Sequence, residues 1–373
     1  MTELKLNIGS SQPSTINLLD LSPAAMISFF ETLGEKKFRT TQVLQWIYQK
    51  RILDFDQMTN LSKSCRERLK TIAEIRLPKI NREHVSVDGT HKWLIGVDEI
   101  NQVETVYIPD TGRGTLCVSS QVGCSLNCTF CSTATQGFSR NLTVAEIVGQ
   151  VWLAKERLAE KEMPLTNVVM MGMGEPLLNY ENCRDAMELM MHDLAFGLSR
   201  RRVTLSTSGV VPGIDRLTQE SDASLAVSLH APNDELRCQL VPINKKYSIQ
   251  ELLEACDRFV HSSTKSKRHI TYEYVMLDGI NDSDDHARQL VKLMKNRAAK
   301  VNLIPFNPFP GSSYRTSSDA RIASFKAVLT YAGVVTTVRR TRGDDIGAAC
   351  GQLVGEFKDR TRRREKMSLS TSS

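Results

Sequence analysis

Three cysteines on one short segment are the strongest chemical signal in this sequence of 373 residues. Cys124, Cys128 and Cys131 follow a C-x3-C-x2-C spacing, and no fourth Cys or His lies within the segment. A structural zinc site normally completes a tetrahedron with four protein ligands. Three thiolates instead suit a [4Fe–4S] cluster that leaves one iron open to an exchangeable ligand. We therefore predict an iron–sulfur cluster here, with three inert reduced thiols as the alternative.

Two further cysteines lie where a thiol could act chemically. Cys117 precedes the cluster segment on an apolar strand, and Cys350 lies among small residues in Gly347–Gly351. Small residues let a backbone approach a ligand closely, whereas a Cys on an apolar strand is ordinary packing. From the residues alone, either thiol could be inert. The remaining four cysteines are assigned no function: Cys65, Cys183, Cys238 and Cys256.

Strand-like apolar segments alternate with helical ones from about residue 115 to the end. The predicted strands cover 115–119, 167–171, 202–206, 224–229, 270–276, 300–304 and 334–338. Two of the helices begin with a capping box, at Thr143–Glu146 and Ser248–Glu251. Six strand-then-helix units closed by a further strand predict a parallel sheet, either an open doubly wound sheet or a partial barrel.

Polar and Gly-rich segments directly follow five of these strands. They are the cysteine segment, 172–176, 207–209, 230–232 and 305–308. Chemistry in parallel α/β folds sits at the carboxyl ends of the strands. We therefore expect these segments to converge on one rim, and a barrel-like site there.

The first 80 residues have a different pattern, which predicts helices only. We place them at 22–30, 41–48 and 62–75, with Pro78 ending the third. Two antiparallel strands, 92–97 and 102–108, follow. The predicted domains are thus a helical accessory domain over 1–82, a barrel with a strand extension over 83–340, and a C-terminal segment over 341–373.

Charge and hydropathy restrict the class of protein. The chain carries 48 basic and 42 acidic residues, and its apolar content of 41% excludes a disordered or collagen-like chain. The basic excess is concentrated at 61–82 and 356–366. Such clusters suit a polyanion, although a solvated helix face is the alternative for each. No apolar run reaches the length of a bilayer span, and the N-terminus has no apolar signal core, so we expect a cytoplasmic protein.

The cysteine segment is the signature of radical S-adenosylmethionine (SAM) enzymes, and the resemblance extends further. LCVSSQVGC, MGMGEP, LSTSG, SLH, IPFN and RGDDIGAAC, which begin at positions 116, 171, 205, 228, 304 and 342, closely resemble the RlmN family. That family methylates C2 of adenine in 23S rRNA and in tRNA. The resemblance covers about residues 17–357. It implies a partial (β/α)6 barrel with a small all-helical N-terminal domain.

The same resemblance implies roles for individual residues. Cys124, Cys128 and Cys131 would hold the cluster, whose open iron would chelate SAM. Cys350 would accept a methyl group from one of two SAM molecules, Cys117 would resolve the RNA–protein crosslink as a disulfide, and Glu104 would take a proton from the adenine. The SAM-binding residues would be Gly174, Glu175, Ser206, Ser228, Leu229, His230 and Asn307.

Partners and alternatives follow from the same comparison. The implied partners are 23S rRNA, tRNA and an electron donor such as flavodoxin or ferredoxin, with the protein a monomer and no membrane involved. The motifs are shared with the sister enzyme Cfr, which methylates C8 of adenine, so C8 remains an alternative to C2. A non-enzymatic alternative is an RNA-binding protein in which the three cysteines and Cys117 bind zinc.

Overall fold

The computed structural model describes residues 15–262 and 269–361. Its strands are β1 Ile16–Asn17, β2 Ala73–Glu74, β3 Lys79–Val85, β4 His91–Gly96, β5 Gln102–Asp110, β6 Arg113–Cys117, β7 Gln121–Gly123, β8 Phe138–Asn141, β9 Asn167–Met170, β10 Val203–Thr207, β11 Ser224–Ser228, β12 Ile270–Met276, β13 Ala299–Pro305 and β14 Val335–Val338. Its helices are α1 Pro23–Thr32, α2 Phe38–Leu44, α3 Lys63–Ile72, α4 Ser132–Thr135, α5 Val144–Ala159, α6 Tyr180–Met191, α7 Val211–Glu220, α8 Asp234–Leu240, α9 Ile249–His261, α10 Asp284–Met294 and α11 Asp319–Tyr331.

Seven parallel strands form the barrel part of one ten-stranded sheet. Their order across the sheet is β6, β9, β10, β11, β12, β13, β14, which is also their order along the chain. The connections run through α5, α6, α7, α9, α10 and α11 in turn. A doubly wound sheet would reverse direction at a switch point, and this one does not. The prediction of six strand-helix units in a partial barrel is confirmed.

Three antiparallel strands extend the sheet beyond β6. β5 pairs with β6, β4 with β5 and β3 with β4. The predicted pairing of the two strands is confirmed, with His91 opposite Tyr107. A separate short hairpin, β7 with β8, brackets the cysteine segment. The extension therefore lies beside the first barrel strand, next to the residues that carry the predicted chemistry.

The N-terminal region is mostly helical, but it is not all helical. α1 begins as predicted, since the Ser22 side chain accepts a hydrogen bond from the Ala25 N–H. α3, however, ends at Ile72, and the chain then enters β2, which pairs in parallel with β1. The Asn17 side chain hydrogen-bonds both the N–H and the carbonyl of Arg76. The helices-only prediction was wrong because this pairing joins residues far apart in sequence, which local periodicity does not show.

The basic cluster at 61–82 is consequently divided between two elements. Lys63, Arg66, Arg68 and Lys70 lie on α3. Lys79 and Arg82 lie on β3, at the edge of the large sheet. The basic cluster is therefore not confined to the third predicted helix, 62–75.

The N-terminal helices and the barrel share one continuous apolar core. The ring of Tyr48 packs edge-on against Phe196, 4.9 Å between centroids. The Trp152 indole N–H, from α5, donates to the Ile47 carbonyl over 2.9 Å. Removing the N-terminal region would therefore expose apolar surface of the barrel.

No helix in the described part of the chain is both long and apolar enough to cross a bilayer. The longest of them, α5, has 16 residues, and it carries Glu146, Lys155, Glu156 and Arg157. Its apolar face is buried in the core.

Candidate active site

A cavity of about 150 Å³ opens at the carboxyl ends of the parallel strands. Residues that follow five different strands line it, among them Cys124, Gly172, Ser208, His230 and Phe306. The structure thus brings the polar and Gly-rich segments to one rim, as the strand order predicted. The convergence requires a barrel, because only a curved sheet aims the ends of distant strands at one point.

The three cysteines of the C-x3-C-x2-C segment line this cavity together. Burial raises the pKa of the Cys124 thiol, and the neighbouring thiols of Cys128 and Cys131 raise it further. Within residues 15–262 and 269–361, no three His, Cys, Asp or Glu side chains are close enough to share a single metal ion. Three cysteine thiols that line one cavity are a donor set that suits a [4Fe–4S] cluster with one open iron.

Glu175 places a buried carboxylate at the cavity wall, where it is 2% exposed. Its oxygens accept hydrogen bonds from the N–H groups of Ser208, at 2.7 Å, and Leu177, at 3.1 Å. Burial raises the pKa of this carboxyl, and these hydrogen bonds oppose the rise. Gly174 beside it has φ +102°, and a Cβ there would lie 2.6 Å from the Gln121 Cβ. Glycine is thus required to bring this carboxylate to the cavity.

Ser206, Ser228 and His230 line the same cavity, whereas Leu229 does not. His230 has a positive φ of 59°, and its Nδ1 accepts from the Val275 N–H over 3.0 Å. Burial lowers the pKa of the imidazole to about 3, so the ring is neutral. Leu229 is fully buried, and its N–H donates to the Glu273 carbonyl. Leu229 supports the site through its backbone rather than by facing the cavity.

A buried guanidinium joins the loops that follow β10 and β11. Arg237 is 0% exposed, and its donors reach the carbonyls of Ser208 (2.6 Å), Ser228 (3.0 Å) and Leu229 (3.0 Å) and the side chain of Asn244 (2.8 Å). Burial lowers the pKa of Arg237 to about 10, which leaves it charged. Arg237 therefore fixes the spacing of two cavity-lining loops.

Replacing Arg237 by methionine is expected to lower the Tm of the cluster-loaded protein by about 5 °C or more, because four buried or part-buried acceptors would lose their donor. Scanning fluorimetry under anaerobic conditions measures this. Arg258→Met is the matched control, since the Arg258–Asp215 pair is half exposed and should cost less than about 1 kcal/mol. Equal Tm values for the two variants would contradict the role given to Arg237.

Cys117 and Cys350 line a second, adjoining cavity of about 60 Å³, together with Cys131 and Arg339. Cys350 also faces the main cavity. Burial, together with a charge on Cys350, raises the pKa of Cys117 to about 12. Burial also raises the pKa of Cys350, but the guanidinium of Arg339, hydrogen-bonded to this thiol, opposes the rise. All nine cysteines are free, so the structure does not support a resting disulfide.

The segment that carries Cys350 is held against the cysteine segment by backbone contacts. The Ser132 N–H donates to the Gly351 carbonyl over 2.8 Å. The Asn307 side chain donates to the Cys350 carbonyl over 3.2 Å and accepts from the Thr341 hydroxyl over 3.1 Å. Asn307 lines a small neighbouring cavity with Cys350 rather than the main one. Asn307 therefore supports Cys350 by bonding its backbone carbonyl.

Glu104 lies on β5, apart from these cavities, and is 6% exposed. It pairs with Lys92 over 2.9 Å and accepts from the Val354 N–H over 2.8 Å. Burial raises the pKa of its carboxyl, and Lys92 opposes the rise. A carboxylate alternating with apolar residues usually faces solvent. Here it faces the C-terminal segment instead.

Three charged residues of the site were missed from the sequence. Arg339 and Glu273 line the main cavity, and Lys92 pairs with Glu104. Glu273 had a usable signal, since it interrupts the apolar strand 270–276. Arg339 directly follows the last parallel strand. The rule that chemistry lies at the carboxyl ends of parallel strands could therefore have identified it. Lys92 had no local signal, because its partners lie on β5 and in the C-terminal segment.

Comparison with known families and proteins agrees with this geometry. Residues 16–75 match the family described as "Ribosomal RNA large subunit methyltransferase N-terminal domain", and residues 118–291 match the "Radical SAM superfamily". The dual-specificity RNA methyltransferase RlmN of Marinobacter nauticus is 61% identical over 354 residues, which cover 94% of this chain and 96% of that protein. RlmN of Xylella fastidiosa is 57% identical over 362 residues, covering 93% and 89%.

A solved structure shares the fold as well. The crystal structure of a radical SAM methyltransferase from Sphaerobacter thermophilus superposes with a TM-score of 0.84 at 43% sequence identity. The match covers 91% of this chain and 99% of that one. The similarity thus includes the N-terminal region and the strand extension as well as the barrel.

Proposed function

The chain belongs to the RlmN family of radical SAM RNA methyltransferases, and from this premise we propose that it methylates C2 of a specific adenine in 23S rRNA and in tRNA. The observation that carries the proposal is the position of Cys350. Its thiol faces the cavity lined by the three cluster cysteines and also the cavity that contains Cys117. A thiol that faces both cavities can receive a methyl group in the first. In the second, Cys117 can break the bond between that thiol's sulfur and the carbon it carries.

The chemistry of the substrate explains why such a thiol is needed. C2 of adenine is not nucleophilic, so it cannot take a methyl group directly from a sulfonium donor. When bound, the cluster and SAM supply a methyl group and, from a second SAM, a 5′-deoxyadenosyl radical. Cys124, Cys128 and Cys131 would hold the cluster. Glu175 and Gly174 would hold the amino group of SAM, with Ser206, Ser228, Leu229, His230 and Asn307 around the rest of it.

The residues of this chain then carry the methyl carbon and the protons. Cys350 accepts the methyl group on its sulfur. This methyl group would lose one hydrogen atom to the 5′-deoxyadenosyl radical supplied by the second SAM, and the carbon could then bond to adenine C2. Glu104 takes the C2 proton and becomes neutral, and the one electron left over would return to the cluster. The Cys117 thiolate attacks the Cys350 sulfur, so an S–S bond forms and the S–C bond breaks. Its electron pair stays on the carbon, which gains a proton and becomes the methyl product; the disulfide is then reduced.

Product analysis tests the proposal against methylation at C8. The reconstituted enzyme, SAM, a chemical reductant and a 23S rRNA fragment or a tRNA should give 2-methyladenosine on digestion. Only 8-methyladenosine, or no methylated adenosine from either RNA, would contradict the proposal. The similarity to RlmN proteins supports C2.

The remaining partners belong to the same proposal. Reduction of the cluster requires a one-electron donor such as flavodoxin or ferredoxin. Cys117 and Cys350 must be thiols at the start of each turnover, which suits the reducing cytoplasm. We propose a monomer as the active form.

RNA binding by the basic residues at 61–82 gives a testable prediction. Lys63, Lys79 and Arg82 are exposed on α3 and β3, and they would contact phosphates. Reversing all three to Glu should weaken RNA binding broadly and reduce the slope of log K against log[salt] by about 2. Filter binding across a salt series measures both. The basic tail from Arg362 to Lys366 lies outside the described residues.

The matched control reverses three exposed charges elsewhere. Arg288, Lys292 and Lys295 lie on or beside α10, on the outer helical layer. Their reversal changes the net charge by the same amount. It should therefore affect only the long-range electrostatic attraction between the protein and RNA. Equal losses of RNA affinity in both triple variants would show that net charge, and not this surface, holds the RNA.

A further inference from the structure

The strand extension holds the C-terminal segment along most of its length. At the turn between β3 and β4, Ser86 donates to the Asp345 carboxylate over 2.5 Å and Asp88 accepts from the Gly343 N–H over 3.0 Å. At the far end, the Gln102 N–H donates to the Glu356 carbonyl over 2.8 Å. The segment from 343 to 356, with Cys350 in its middle, therefore lies along the β3–β4 turn, β4 and β5.

Lys92 lies at the centre of these contacts. Its ammonium group is 2.9 Å from a Glu104 oxygen and donates to the Gly347 carbonyl over 3.3 Å. The other Glu104 oxygen accepts from the Val354 N–H. Lys92 and Glu104 thus hold the two ends of residues 347–354 as one connected unit.

The pair is well shielded from water. The side chains of Lys92 and Glu104 are 13% and 8% exposed. Groups that face the carboxylate come from three elements: Lys92 on β4, His84 on β3 and the Val354 N–H of the C-terminal segment. Lys92 is the group that opposes the effect of burial most. A charge pair in such a site interacts more strongly than at the surface, and loss of one partner leaves the other charge buried and unpaired.

We propose that Lys92 is a positioning residue for methyl transfer: it keeps Glu104 ionised as the proton acceptor and, through Gly347, holds Cys350 at the mouth of the barrel. The proposal rests on the functions proposed above for Glu104 and Cys350. It gives one residue a role in both proton removal and methyl-group presentation. The same ammonium group contacts the base, Glu104, and the segment that carries the methyl group.

Two readouts on Lys92→Met test this proposal, with Lys92→Arg as the conservative variant. Hydrogen exchange of the peptide 347–354, followed by mass spectrometry without RNA, should be about ten-fold faster in Lys92→Met. Without its cation, the pKa of the Glu104 carboxyl should rise further. Because the carboxylate is the active form, the acid limb of single-turnover RNA methylation should move to higher pH by about one unit. Lys92→Arg should restore both measurements towards wild type.

Lys161→Met is the matched control. Lys161 pairs with Glu83 of β3 over 3.2 Å and is 42% exposed, so this variant also removes a Lys–Glu pair from the strand extension. It should change neither readout. Wild-type exchange in Lys92→Met, or an unmoved acid limb, would overturn the proposal. Wild-type activity of Glu104→Gln would instead contradict the role of Glu104 itself, while the exchange measurement would still report on the contact of Lys92 with the segment.

Discussion

Replacing Cys350 by alanine is expected to abolish RNA methylation, with a loss of at least about a thousandfold in rate. Cys350 is the thiol that faces both the cluster cavity and the cavity with Cys117. Cys131 and Met171 also line both cavities, but Cys131 is one of the three cluster cysteines and Met171 has no thiol. Among the described residues, Cys350 is therefore the thiol available to carry the methyl carbon from one cavity to the other. Methylated adenosine counted by mass spectrometry after RNA digestion measures the effect.

The same variant should keep its cluster and bind SAM. Cys124, Cys128 and Cys131 are unchanged, and Cys350 supplies no cluster ligand. Iron content, the visible absorbance of the cluster and SAM affinity should therefore match the wild type. Cys238→Ala is the matched control, since Cys238 is a half-buried thiol on α8 outside these cavities. Product formed by Cys350→Ala at more than about a thousandth of the wild-type rate would refute its role as carrier.

Replacing Cys117 by alanine is expected to give a different defect, in which protein crosslinked to RNA accumulates. The variant keeps Cys350, so the methyl carbon can still be loaded and joined to adenine. It lacks the thiolate that attacks the Cys350 sulfur, so the S–C bond to the RNA is not broken. Denaturing gel electrophoresis with labelled RNA should show a slowly migrating band that protease removes.

The pair of variants is informative because the two phenotypes differ. Cys183→Ala, which removes another fully buried thiol outside the site, is the control for packing loss and should give no crosslink. A structural role shared by Cys117 and Cys350 would make their alanine variants equivalent. Loss of product without any crosslink in Cys117→Ala would contradict its role as the resolving thiol.

Much of the barrel could be predicted because its elements are locally encoded. Strands buried on both faces are continuous apolar runs, such as 167–171, and helices such as α5 begin with a complete capping box. The order of strands and helices then fixed the parallel sheet. The rule that chemistry lies at the carboxyl ends of parallel strands then predicts that five segments meet at one rim.

Other features escaped because they depend on contacts between distant residues. β1 and β2 are two residues each, too short for periodicity, and they exist because Asn17 bonds the backbone of Arg76. Lys92 looks like an ordinary strand lysine until Glu104 and the Gly347 carbonyl are placed beside it. Nothing in the sequence around Glu104 indicates that its side chain faces the C-terminal segment rather than solvent.

The mass of the Cys350 peptide in the wild-type protein tests the central claim most directly. If Cys350 carries the methyl group, protein isolated from cells that make SAM should yield a peptide spanning Gly347 to Gln352 that is heavier by about 14 Da, the mass of one CH2 group. Fragmentation should place the added mass on the Cys350 sulfur, and the peptides that contain Cys117 or Cys238 should be unmodified. An unmodified Cys350 in protein that is active on RNA, or a methyl group on another cysteine, would contradict the mechanism.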